Sequence, residues 1–245
     1  MKETIYTIPV MEAIEKGGCL FCNLYEHLEE SVLNYITGPS VAYMQDDIRE
    51  KTDKMGFCPR HYKALYEQRN RLGLALILHT HMKKFNRDLE DLYEQSLKFK
   101  GLLFGKKEEG LPKYITEVNN SCYVCENINS SYDRYISTFF EIFKKNEEIA
   151  GIIEEKIVFC VGHMVDVVPS ARKYLSGKDI NRFLEGFLNT QASYLKGLEA
   201  DLEHFVKKFD YRFKEEPWGN SKDSIERTIK IFCGINNFIK DEKDE

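Results

Sequence analysis

Six cysteines and two histidines fall into four pairs, each with two residues between its members: Cys19 and Cys22, Cys58 and His61, Cys122 and Cys125, Cys160 and His163. That spacing lets both members of a pair reach one cation. Two pairs complete a tetrahedron of three thiolates and one imidazole, the mixed shell that zinc accepts, and four protein ligands characterise a structural site. The shortest reading groups the ligands by position in the chain. Cys19, Cys22, Cys58 and His61 then hold one zinc ion, and Cys122, Cys125, Cys160 and His163 hold a second. A crossed arrangement, with the two CxxC pairs on one ion and the two CxxH pairs on the other, is the alternative. An iron–sulfur cluster also uses cysteine thiolates, but one histidine in a three-cysteine set is usual for zinc and unusual for clusters. A CxxC pair can also be a working dithiol, so a thiol-redox or metal-dependent enzyme stays open beside the structural reading.

The pairs are the clearest sign of an internal repeat. Phe57-Cys58-Pro59-Arg60-His61 returns as Phe159-Cys160-Val161-Gly162-His163, an offset of 102, and Cys19–Cys22 returns as Cys122–Cys125 at 103. Thr80 and Asp91-Leu92 match Thr190 and Asp201-Leu202 at an offset of 110. The intervening stretches carry helical rather than strand periodicity. Leu78, Met82, Phe85, Leu89 and Leu92 step by four and three, as do Leu188, Ala192, Leu195, Leu202, Val206 and Phe209 with Glu199 breaking the series. Asn23 to Thr37 predicts a helix stopped by Gly38-Pro39, and the CxxC and CxxH pairs both stand at helix starts, where thiolate is stabilised. The expected fold is all-α: two tandem-duplicated helical units, 1–105 and 113–245, each with its own Cys3His clip. The glycine-containing stretch Lys100 to Pro112 connects them, and a final helix is expected from Lys222 to about Lys240, ahead of an acidic tail at Asp241 to Glu245.

The 245-residue chain has 42% apolar residues and 31 aromatics, enough for a core, and charged residues make up 31%. Its net charge of −5 is spread without a basic stripe, which argues against nucleic-acid binding. The first 18 residues hold no apolar run of the signal-peptide kind, and the longest apolar run, Leu74 to Leu78, is far too short to span a bilayer. The expectation is a soluble cytoplasmic protein with no membrane partner. In that reducing setting its seven cysteines point to metal rather than disulfides.

Outside the quartets, His79 and His81 form an HxH pair that can contribute to a metal site, but two residues apart on one helix they point away from each other, which favours a hydrogen-bonding or surface role over ligation. His81, beside the repeated Thr80, is the better functional candidate. His27 and His204 read as surface or interface histidines, and Cys233 as a core residue. Asp201-x-x-His204 is one imperfect copy where a di-iron bundle needs two. Gly101 to Lys107 is too short for a phosphate loop, and neither HExxH nor GxSxG occurs. Pro217-Trp218-Gly219-Asn220-Ser221-Lys222-Asp223 reads as an anchor for the last helix, with Ser221 or Asp223 as its cap. A ligand-binding groove between repeats, lined by His81, Arg212 and Trp218, is the other use of that segment.

The repeated CxxC…FCxxH pattern with Thr80-His81, closed by Pro217 to Asp223, resembles a bacterial family of uncharacterised proteins defined by a domain of unknown function. Some of its members are labelled ABC-transporter substrate-binding proteins. The resemblance spans essentially the whole chain and implies no activity, and the transporter label conflicts with the absence of an exported-protein start. The expected function is therefore that of a zinc-binding helical scaffold or interaction protein with two ions per chain. Its protein partner or small ligand is unspecified and its enzymatic status open.

Overall fold

The computed structural model describes residues 4–98 and 110–234. Eleven α-helices occur among the described residues: α1 Thr7–Lys16, α2 Leu20–Thr37, α3 Asp46–Met55, α4 Pro59–Glu67, α5 Arg71–Lys98, α6 Gly110–Asn120, α7 Tyr123–Lys145, α8 Glu147–Lys156, α9 Val161–Tyr174, α10 Gly177–Lys207 and α11 Ser224–Cys233. Single 3-10 turns stand at Ala42–Met44, Tyr211–Phe213 and Gly219–Ser221. No strand is present among the described residues; the sole sheet-like contact is a bridge between Cys19 and Val158. The protein is all-α. Most of the expected connector Lys100 to Pro112, the end of the expected last helix and the tail Asp241 to Glu245 lie outside the described residues.

Local chemistry sets the helix boundaries that matter for the cysteines. Gly17 ends α1 at φ 70°, a conformation open to glycine at no steric cost. Gly56 likewise ends α3 at φ 56°, its N–H bonded to Thr52 O. Asn146 caps α8 by accepting from the Ile149 N–H. Cys58 and Cys160 each sit at the N-cap of the helix that carries their histidine, with nearly identical backbones (φ −71°, ψ 163° and φ −71°, ψ 160°). Pro59, whose missing N–H costs nothing at a first turn, opens α4.

The chain forms two compact units: residues 1–27 with 132–245, and residues 28–131. These differ from the expected 1–105 and 113–245, because the boundaries fall inside α2 and α7 rather than in the connector. Each unit therefore takes parts of both repeats. The core of the first is aromatic, with Phe21, Phe139, Phe140, Phe143, Phe159, Phe183 and Phe187 buried and packed mostly edge to face, Phe21 on Phe159 at 4.9 Å and Phe140 on Phe183 at 5.1 Å between centroids. The second is mainly aliphatic, built on Leu28, Leu33, Ile36, Ile48, Leu65, Leu74, Ile77 and Ile128.

The two apolar stripes read from the sequence are helical but are not the buried faces. On α5 the buried residues are Leu74 and Ile77, while Leu78 and Met82 are exposed. On α10 they are Phe183, Phe187, Gln191 and Leu198, while Leu188, Leu195 and Val206, and Phe209 in the turn just beyond the helix, are exposed. Cys233 is also exposed, on the side of α11 opposite buried Ile231, rather than in the core.

Candidate metal centres

The eight ligand candidates converge in two groups of four, but not by repeat. Cys19 and Cys22 meet Cys160 and His163; Cys58 and His61 meet Cys122 and Cys125. Each group remains Cys3His, and its donor atoms lie within 4.8 Å of one another. The grouping by repeat is thus corrected, and the alternative of four cysteines on one ion is not adopted either. The CxxC pair of each repeat is completed by the CxxH pair of the other.

Helix lengths explain the exchange. At 1.5 Å per residue, the 15 residues of α2 beyond Cys22 carry the chain about 23 Å, and the 10 residues of α3 span only about 15 Å. In the second repeat the 23-residue α7 and 10-residue α8 leave a larger deficit. A backbone contact instead fixes each CxxH pair beside the CxxC pair of the other repeat. Val158 bridges Cys19 at one centre. At the other, the Tyr123 N–H donates to Gly56 O at 3.0 Å, Gly56 being the repeat equivalent of Val158.

The donor spacing tests the fit to a metal. Bond lengths of about 2.3 Å to sulfur and about 2.0 Å to nitrogen put tetrahedral edges at about 3.8 Å between sulfurs and about 3.5 Å from sulfur to nitrogen. In the first centre Cys22 Sγ and Cys160 Sγ are 3.7 Å apart, and His163 Nδ1 is 3.4, 3.3 and 3.4 Å from Cys19, Cys22 and Cys160. In the second, Cys58 Sγ and Cys125 Sγ are 3.9 Å apart, and His61 Nδ1 is 3.2, 3.2 and 3.4 Å from Cys58, Cys122 and Cys125. Both histidines present Nδ1, and both sets fit one ion per centre.

Burial and neighbouring groups shift the titrating side chains of both centres. Burial opposes ionisation of Cys122, but His61 and neighbouring backbone amides outweigh it and draw the thiol down to about 6. His61 is itself pulled down by burial, yet the Cys122 sulfur and Glu29 lift it to about 9. Burial and the adjacent thiols push Cys125 up to about 12. In the other centre a hydrogen bond from Cys19 draws Cys160 down to about 6, while Cys19 is driven far up by its contacts with Cys160 and Cys22 and by burial. The thiols of Cys19 and Cys125, which burial and their neighbours disfavour as thiolates, give up protons when a metal binds.

The residues behind the ligands differ between centres. Glu29 on α2 accepts from His61 Nε2 at 2.9 Å, is held by Arg60 at 2.6 Å, and has its own pKa lowered against the pull of burial by both partners. That fixes the tautomer with Nδ1 free to ligate. The repeat equivalent of Glu29 is Tyr132, whose hydroxyl donates to Phe21 O at 3.0 Å instead, and His163 Nε2 has no protein partner among the described residues. The sequence reading missed Glu29, although the offset of 103 that aligns the CxxC pairs marks it as a position where the repeats differ. Gly234, at φ 73°, closes over the first centre: a Cβ there would lie 3.4 Å from Cys22 Sγ and 3.5 Å from Cys160 Sγ.

His81 is a buttress rather than a ligand. Its Nδ1 donates to Asp53 O at 2.8 Å, and its ring lies so close to Gly56 that a Cβ there would approach Nε2 to 2.7 Å. Thr80 donates to Asp53 Oδ1 at 2.5 Å. In the second repeat, Thr190 bonds Glu154 O, and buried Gln191 brackets Phe159, accepting from its N–H at 2.8 Å and donating to its carbonyl at 3.1 Å. Both pairs therefore hold the segment leading into a CxxH pair. His79 is exposed, and His27 lies against Tyr135.

Trp218 packs against the end of α10 rather than on α11. It packs on Phe205 at 5.6 Å, and His204 Nε2 donates to Pro217 O at 3.0 Å. The buried Lys208 ammonium, 5.3 Å from the indole, donates to the carbonyls of Phe213, Lys214 and Glu216. Arg212 pairs with Asp210. Neither Ser221 nor Asp223 caps α11 through its side chain; Ser221 donates to Trp218 O and Asp223 pairs with Arg227.

Among the described residues no helix is long and apolar enough to cross a membrane. Comparison with the curated proteins and with the solved structures gives no match. The profile of one family, described as a family of unknown function (DUF6062), matches residues 1–238, so nearly the whole chain, both metal centres included, belongs to that family.

Proposed function

We infer that this protein is a structural zinc protein, a non-enzymatic helical scaffold whose two Cys3His ions hold parts of both repeats together. The observation that carries this reading is the pair of complete four-donor shells with tetrahedral spacing. A catalytic zinc has three protein ligands and leaves the fourth position to water; here four protein donors converge at each centre. A cluster distributes its cysteines over several irons, and ligands on different irons stand farther apart than ligands on one ion, so the 3.7 and 3.9 Å sulfur separations favour a single ion.

The lowered thiols Cys122 and Cys160 favour one competing reading, a redox dithiol. Native mass spectrometry separates the two. The structural reading expects two zinc ions per chain, loss of helicity on chelation, and slow alkylation of the zinc-loaded protein. Zinc-free, fully helical protein with a rapidly alkylated Cys122 would overturn it.

A further inference from the structure

Helix α10 carries two apolar stripes about 100° apart, and among the described residues only one packs within its own unit. Phe187, Gln191, Tyr194, Leu198, Asp201 and Phe205 step by four and three and face inward, with Leu198 against Val158 and Ile231 and Arg227 of α11 paired to Asp201. One residue further on runs the second stripe: Leu188, Ala192, Leu195, Glu199, Leu202, Val206 and Phe209. Its helical part, Leu188 to Val206, keeps a strict heptad over about 27 Å, and Phe209 stands in the turn just beyond Lys207. Leu188 is 62% exposed, Leu195 36%, Val206 68% and Phe209 77%. An exposed apolar seam of this length is a surface that a partner covers.

The first repeat shows what kind of partner fits. The equivalent stripe on α5 is covered along Phe85 to Leu92 by α6, which runs antiparallel to it. Phe85 stacks on Tyr114 at 6.0 Å, Tyr114 donates to Asp88 at 2.9 Å, and Leu92 lies at Gly110. By the offset of 103, α6 is the repeat counterpart of α1. In its own unit Tyr6, the N-cap of α1, packs against Tyr135 of α7 at 5.6 Å instead, and among the described residues the seam of α10 has no antiparallel helix beside it.

We propose that the α10 seam is a self-association surface, pairing antiparallel with α10 of a second copy of this chain about a two-fold axis. Antiparallel heptads stack a positions on d positions. That register sets Leu195 on Val206 of the partner subunit and Glu199 on Leu202 of the partner subunit. It also brings the flanking Lys196 opposite Glu203 of the partner subunit, twice by symmetry, since e faces e in antiparallel pairs. Lys196 has no ion pair among the described residues, and Glu203 holds Lys207 at 2.7 Å on its own helix. Glu199 is the one polar residue of the seam, and a polar residue at such a position sets register at a cost in affinity.

Sedimentation equilibrium of the zinc-loaded full chain tests this, with zinc content measured in parallel so that loss of the fold is seen separately. The expected result is a reversible dimer. Leu195→Asp weakens it more than tenfold while both ions are kept, and Glu199→Leu tightens it. Lys196→Glu and Glu203→Lys each weaken it several-fold, and the double exchange restores it, which a parallel pairing does not give. A monomer up to about 100 µM, or a dimer indifferent to Leu195→Asp, would overturn the proposal, whether or not zinc is bound.

Discussion

The reciprocal grouping makes a prediction that grouping by repeat reverses. Cys22 and Cys160 serve one centre, with sulfurs 3.7 Å apart, and Cys58 and Cys125 serve the other, 3.9 Å apart. Structural zinc in small domains is worth about 10–16 kcal/mol, so one of four ligands carries roughly 3–4 kcal/mol, a factor of about 10² to 10³ in affinity. The double variant Cys22→Ser with Cys160→Ser removes two ligands from one centre and none from the other. Cys22→Ser with Cys58→Ser removes one ligand from each. With free zinc buffered about tenfold above the wild-type dissociation constant, native mass spectrometry should find two ions in the wild type, one in the first variant and none in the second. The retained ion in the first variant also shows that the 28–131 unit still folds. If the first variant binds none and the second keeps one, the ligands are grouped by repeat and the helix-length argument fails with them.

Other consequences follow from the residues behind the ligands. Glu29→Ala removes the acceptor on His61 Nε2 and should weaken zinc at that centre alone by about 10- to 100-fold, read by competition with a chromophoric chelator. Gln191→Ala leaves the N–H and carbonyl of Phe159 without partners in a buried site, and chemical denaturation should show a loss of about 2–4 kcal/mol. Gly234→Ala imposes φ 73° on a residue with a Cβ and crowds two sulfurs, so it should cost about 1–2 kcal/mol and speed zinc release from the first centre. Asp88 is held below its usual value against burial by Lys84 and Tyr114. Its stabilising share is complete above the ordinary carboxylate range and lost as pH falls through its lowered folded value. Tyr114→Phe should therefore reduce stability at pH 7 by about 1 kcal/mol and flatten the acid limb of the pH–stability curve.

The helical class, the duplication and all eight ligand candidates could be read from spacing alone, because a pair separated by two residues at a helix start is a local constraint. The pairing between distant segments was not local. It depends on contacts between segments far apart in sequence, and the interval of 36 residues between Cys22 and Cys58 conceals 15 further residues of α2 and the 10 residues of α3. Burial on α5 and α10 was missed for a related reason. Both helices have two apolar stripes, and periodicity finds a stripe without saying which one the rest of the chain covers. Gln191 is the instructive residue, since a polar side chain at the centre of the buried face looks like a break in a core. It is there because Phe159, next to a ligand, has backbone groups that need partners.

Comparison of the repeats shows which features the architecture holds constant. The ligand backbones at Cys58 and Cys160 agree within a few degrees, and the two Cys3His shells have matching spacing. Around them nearly everything has changed. A carboxylate backs one histidine and a tyrosine stands in its place at the other; a histidine braces one CxxH approach and a glutamine the other. Tuning of a reactive metal acts through just those supporting groups, which set ligand basicity and water access. An arrangement that fixes four donors twice and lets their surroundings diverge constrains coordination geometry and little else. That is the constraint under which a metal serves as a crosslink between segments distant in sequence.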